Sequence, residues 1–333
     1  MSATDSSTPS PRASQIDDEF MTARRKDLLL SWYLGVSEVL AEDALPVWKE
    51  TRARERRLFT RESVDEADKE ATRLAEIQSS QSRRDRDPGR SPLSLPSSLP
   101  KINKDMLKPA YLTLVAQIST DDFWLMPDGN WREGNPVVKH FSGVKLNCRL
   151  VKPTSVPLFA NDFEEAWNNM EAFMKMASPV KAGNARRGVL SDVPLESIKL
   201  RHVLFEEVEG EANPKDVEVM ENWPVYSNEG QEALHEMRNR FRVVPLPAYD
   251  KPGGDLIPPS RYCAALKGAV VEVAVALTYW DIPPRTDQGG RSAFAADIER
   301  LAVLVPPPKS SSGLKRTISA IDPGSPKKPR VAY

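Results

Sequence analysis

The sequence predicts an α+β protein: N-terminal helices followed by a β-rich, barrel-like domain with one packed helix, between disordered termini. Three observations carry this. Apolar residues recur at helical spacing from residue 16; Pro and Ser crowd 87–100; and beyond residue 105 short runs of β-branched and aromatic residues take over. The 333 residues are 40% hydrophobic and 28% charged, which suffices for a sizeable core. Lys and Arg total 46 against 47 Asp and Glu, so a uniformly basic protein is excluded and only segregated patches remain. Two cysteines and three histidines argue against a disulfide scaffold and a Cys/His zinc site. No run approaches the roughly 18 apolar residues of a membrane span, and the N-terminus lacks the apolar core of a secretory signal. The expectation is a soluble intracellular protein with no membrane partner and no cofactor.

Residues 1–15 are mostly Ser, Thr, Pro and Ala, too apolar-poor to offset backbone ordering, and read as disordered. Segment 16–82 reads as helical. Phe20, Leu28, Leu29, Trp32, Tyr33, Val36, Val39 and Leu40 recur at three- and four-residue intervals, and the helix should end near Asp43. After Pro46, the run 47–82 lacks Gly and Pro and is rich in Arg, Glu and Ala, which predicts a second, more polar helix. Residues 83–105 form a Pro/Ser-rich linker.

The β-rich domain spans 106–305, with strands expected at 111–118, 143–151, 199–208, 240–246, 268–280 and 292–305. A helix carrying Phe163, Trp167, Met170, Phe173 and Met174 on one face separates the second from the third, with Asn161 or Asp162 as its N-cap. A short helix is expected at 228–239. In 268–280 the even positions Glu272, Thr278 and Trp280 oppose Val271, Val273, Val275, Leu277 and Tyr279. The Pro- and Gly-rich loop 283–291 then returns 292–305 antiparallel to it, until Pro306, Pro307 and Pro308 stop the sheet.

The tail 306–333 is disordered and basic. Lys315 and Arg316, ten residues, then Lys327, Lys328 and Arg330 resemble a bipartite nuclear localisation signal, so a nuclear import receptor is an expected partner and the nucleus the expected location. A basic run at 49–61 falls on no single helical stripe, and the acidic run 206–221 repels phosphate and reads mostly as loop. Phosphate loop, nucleophile elbow and His-Glu-x-x-His are all lacking, so no catalytic or metal residues are expected. A remote alternative is a metal-dependent enzyme using Glu272, Asp297 and Glu299.

Phe123, Trp124 and Trp131 surround a Pro-Asp-Gly turn, with Lys139, His140, Phe141, Lys145 and Arg149 close behind. Rings interleaved with cations suit single-stranded nucleic acid, because rings stack on bases while cations neutralise phosphate. The stretch 246–305 resembles the closing strands of OB-fold single-stranded-DNA-binding proteins. The likeness rests on the Pro-rich LPAYDKPGGDLIPPS, Tyr262 and Gly268 before VVEVAVALTYW, the Gly-rich basic loop, and the strand ending Leu301-Ala302-Val303-Leu304. The layout of helices, β-rich centre and basic tail also resembles fungal proteins that end in such a hairpin and a Lys/Arg tail. The resemblance implies an OB-like domain binding single-stranded DNA or RNA. Trp124, Trp131, Phe141 and Trp280 would stack; Lys139, Lys145, Arg149, Arg285 and Arg291 would meet phosphates, with Arg186, Arg187, Arg240 and Arg242 as weaker additions. The rival expectation is a scaffold that self-associates through residues 17–82 and docks a protein partner on its β-domain.

Overall fold

Alternation of apolar and polar residues builds most of this molecule, which a computed structural model describes over residues 11–37, 45–84, 104–177, 188–191, 196–283 and 291–308. The N-terminal part runs α1 (Pro11–Leu28), β1 (Trp32–Tyr33), β2 (Val47–Arg52), β3 (Glu55–Phe59) and α2 (Arg61–Arg84). The centre follows as β4 (Tyr111–Phe123), β5 (Lys145–Val151), α3 (Pro157–Ala177), β6 (Leu190–Ser191), β7 (Ser197–Val203) and β8 (Phe205–Glu207). The chain continues through α4 (Pro214–Glu221), α5 (Asn228–Met237), β9 (Phe241–Val243), β10 (Ala248–Tyr249) and α6 (Tyr262–Leu266) to β11 (Val270–Ile282) and β12 (Arg291–Val305).

Ten of these strands form one mixed sheet, while β8 and β9 pair separately. Within it the ladders run β4 to β5, β5 to β7, β7 to β12, β12 to β11, and β11 back to β4. The β7–β12 link is parallel and rests on two register pairs, Ala296 with Leu200 and Asp297 with Arg201; the other four are antiparallel. Since β1, β2, β3, β6 and β10 extend the ladder beyond these five strands, the whole is a large α+β sheet rather than a plain closed barrel.

One face of each of these strands is dry. Leu112, Leu114, Leu146, Cys148, Leu200, Val273, Val275, Phe294 and Ile298 share a core with the Phe163, Trp167, Met170, Phe173 and Met174 stripe of α3. Full burial of each aliphatic chain contributes about 1.5–3 kcal/mol. Burial pushes the Cys148 thiol up to about 12, so it behaves as an inert core group. A smaller core forms where α1 and β1 cover the other face of β4 and β11: Met21, Leu28 and Tyr33 meet Val115, Phe159 and Val270.

Several expectations are corrected here. Residues 11–15 belong to α1, which ends at Leu28 rather than near residue 43, and Trp32 and Tyr33 pair in parallel with β4. Segment 47–59 is a hairpin, so 16–82 is not a purely helical unit. Val47 and Trp48 pair with Phe59 and Leu58 about a turn at Ala53-Arg54, where Arg54 has φ 68°. A helix would hold Val47-Trp48 about three turns away from Leu58-Phe59, whereas the hairpin sets them side by side, β3 joins β11 and Trp48 packs against Tyr279 and Phe294. The α3 helix starts at Pro157, a turn before the expected cap, and Asp162 is buried inside it, accepting from Tyr33 Oη at 2.7 Å and from Arg25 Nε at 2.7 Å. Part of the acidic run is α4, capped by Asn213. The hairpin β11–β12, the α3 stripe and α5 lie where the sequence puts them, and Ser227 caps α5.

Candidate nucleic-acid interface

Inward Leu146, Cys148 and Leu150 on β5 turn Lys145, Asn147 and Arg149 outward; inward Ile198, Leu200 and His202 on β7 turn Lys199, Arg201 and Val203 outward. The register then sets Arg149 opposite Lys199 and Asn147 opposite Arg201. Four cations thus share the outer face of two adjacent strands. On the neighbouring β12, Asp297 accepts from Arg201 Nε at 2.5 Å and Nη2 at 3.0 Å. On β4, Asp122 accepts from Arg149 Nε at 2.6 Å, and Arg149 Nη1 donates to Ser197 Oγ at 3.2 Å.

Two rings border this face. Trp124, 38% exposed, follows β4 directly and its indole N–H donates to Asp122 Oδ1 at 2.7 Å. Trp280, on the outward side of β11, lies half-buried with the Arg201 guanidinium 4.9 Å from its ring centre. Partial burial, then the adjacent Arg201, push the Lys145 ammonium below its usual range, while Asp297 pulls the other way. Burial alone would raise the Asp122 carboxyl, but hydrogen bonds from Trp124 and Arg149 hold it below the usual carboxylate range. The surface is therefore rich in positive charge held close to the sheet. It can take an anion at Lys145 or Lys199, and at its edges it carries the exposed Trp124 ring and the half-buried Trp280 ring beneath Arg201.

Not every expected residue arrives there. Trp131 is only 7% exposed, donates its indole N–H to the Val138 carbonyl and packs 5.1 Å from Phe141, which in turn meets Phe205. Both rings are core, and neither has a free face for a base. Lys139 is exposed in the connection between β4 and β5, with no ion pair among the described residues. Arg240 and Arg242 pair with Glu207 and Glu206 at the separate β8–β9 ladder. Arg291 opens β12 opposite Ile282. Arg285, Arg186, Arg187 and the tail residues Lys315, Arg316, Lys327, Lys328 and Arg330 lie outside the described residues. Lys199 and Arg201 were missed, although the alternation in Ser197-Ile198-Lys199-Leu200-Arg201-His202 places them on one face. The remote metal site does not assemble: Glu272 is paired with Arg24 at 2.6 Å and sits opposite Ala302, while Asp297 is paired with Arg201, and no group of three acids, His or Cys suited to a metal occurs among the described residues.

No protein family and no curated protein matches the sequence. Among solved structures, the chain is similar to gp2.5, a single-stranded DNA binding protein encoded by bacteriophage T7, at 12% identity and a TM-score of 0.30, over 61% of this chain and 96% of that one. A likeness of that TM-score carries no argument about fold or function.

Proposed function

We propose that this protein is a non-enzymatic single-stranded nucleic-acid-binding protein whose sheet is of OB type and whose ligand lies on the outer face of β5 and β7. The observation that carries the reading is the cluster of Lys145, Arg149, Lys199 and Arg201 on that face, bordered by Trp124 and Trp280. Cations to meet phosphates beside rings to meet bases are what a strand of unpaired nucleotides requires. The order of ladders supports the OB reading. Numbering β4, β5, β7, β11 and β12 as first to fifth, the ring runs first-second-third-fifth-fourth-first, with the third and fifth parallel. In OB folds the second and third strands and the loops after the first and fourth hold oligonucleotides; here those loops carry Lys139 and Arg285. The Lys315-Arg316 and Lys327-Lys328-Pro329-Arg330 clusters support action in the nucleus.

The test is anisotropy of a fluorescent oligothymidylate with the full chain in which Lys315, Arg316, Lys327, Lys328 and Arg330 are all Ala, across a salt series. Salt-sensitive binding that survives the tail substitutions is expected. Binding that vanishes with them would assign it to the tail and leave the sheet for a protein partner. Exposed Leu74 and Ile77 on α2 favour a second activity, self-association through that helix, which a shift in sedimentation on L74E/I77E would reveal.

A further inference from the structure

Each arginine of the patch is held by a carboxylate from a neighbouring strand: Arg149 by Asp122 of β4, Arg201 by Asp297 of β12. All four side chains keep an open side, at 31% and 33% exposure in the first pair and 22% and 20% in the second. Ion pairs reached by water are weakly held, because solvent screens them and offers each partner an alternative. Asp122 has a second hold, the Trp124 indole N–H at 2.7 Å, so it stays in place when Arg149 leaves it. Arg201 likewise has a second partner, the Trp280 ring 4.9 Å away, which keeps its guanidinium on the face without Asp297. Lys145 and Lys199, by contrast, have no ion pair among the described residues.

We infer that Asp122 and Asp297 are built-in counter-ions, which a phosphodiester displaces from Arg149 and Arg201 when nucleic acid binds. The inference rests on the function proposed above and specifies how that site is tuned. A phosphate reaching either arginine releases its own condensed cations, but the displaced carboxylate takes up a cation in return, so net release is smaller than the number of phosphate contacts. The carboxylates lower affinity and flatten its salt dependence, and keep the arginines oriented in the empty state. They also disfavour weakly anionic or misaligned ligands, which cannot compete with a fixed carboxylate at both positions.

The experiment uses the full chain with the five tail cations replaced by Ala, as parent and as D122N, D297N and the double variant. Each is titrated with fluorescent oligothymidylate from 0.05 to 0.5 M KCl and melted thermally. Each Asn should steepen the slope of log K against log salt by about 0.7 and tighten binding about fivefold at 0.1 M. Variants that melt with the parent yet bind equally or more weakly would overturn the counter-ion role, leaving the carboxylates as props for the arginines. Should one variant melt early, the other, on a different strand, decides alone. If the parent and every variant fail to bind, the proposed function falls and the counter-ion role with it; a binding parent with no gain in the variants refutes the counter-ion role only.

Discussion

Replacing Lys145 and Lys199 together by Ala separates binding from folding at the proposed interface. Neither ammonium has an ion pair among the described residues, so their loss strands no carboxylate, and both project from the wet face of their strands. If each meets one phosphate, removing both subtracts about 1.4 from the slope of log K against log salt on a single strand. Extrapolated from a common value at 1 M, this is a loss of about 25-fold at 0.1 M and less at higher salt. The assay is anisotropy with labelled oligothymidylate on the tail-substituted chain, with a urea titration of both proteins as control. Equal midpoints and a shallower slope are expected. A double variant that keeps the parental slope while binding well would put the phosphates on another surface and refute the assignment of β5 and β7.

Trp124→Ala should lose on the order of 1–3 kcal/mol of binding with an unchanged melt, whereas Trp131→Ala should cost about 3–5 kcal/mol of stability through its emptied core site; calorimetry beside anisotropy reads both. Tyr33→Phe removes a buried hydrogen bond to the Asp162 carboxylate and should cost about 1.5–3 kcal/mol in urea unfolding. Burial pushes the His202 imidazole below its usual 6.5, although hydrogen bonds to backbone carbonyls oppose this. The unfolded chain therefore binds a proton that the folded one refuses; stability present above pH 6.5 is lost as pH falls from there through the lowered folded value, and His202→Asn should flatten this limb of the profile of melting temperature against pH. Replacing Lys315, Arg316, Lys327, Lys328 and Arg330 by Ala should shift a fluorescent fusion from nucleus to cytoplasm, and unchanged accumulation would remove the import assignment.

What was legible in the sequence tracks how local its cause is. Val271 to Trp280 alternates without interruption, and the loop before β12 is full of turn residues, so the longest hairpin shows in its own letters. The hairpin 47–59 does not: its arms are mostly Arg, Glu and Thr, and Val47-Trp48 matches Leu58-Phe59 only once the chain is folded about Ala53-Arg54. Arg-rich arms with no Gly or Pro looked helical because propensity was the only local signal. At the interface, composition marks Lys145 and Arg149, and alternation marks Lys199 and Arg201. The burial of Trp131 and Phe141 leaves no such mark, because an irregular segment has no period from which a buried side can be read. The pairings that lock the N-terminal part down, Arg24 with Glu272 and Arg25 with Asp162, span 248 and 137 residues and leave no trace in either neighbourhood.

The last of the described strands joins three others: β12 pairs with β11, β7 and β10 at once. On a ribosome that order imposes a wait. At about 5–20 residues per second, synthesis takes roughly 10 to 40 s to run from the start of β4 to the end of β12. For about the second half of that interval β7 waits without the neighbour that completes its edge, and β11, once made, has a partner on one side only until β12 follows. Unpaired edges beside half-formed apolar faces are where nascent chains mispair. Completion then comes as a single late event, with the first and last strands of the ring already joined through β11 and only the β7–β12 contact left to form. A ribosome stalled before residue 291 should carry a chain that chaperones hold, and one stalled well beyond 305 a chain they release.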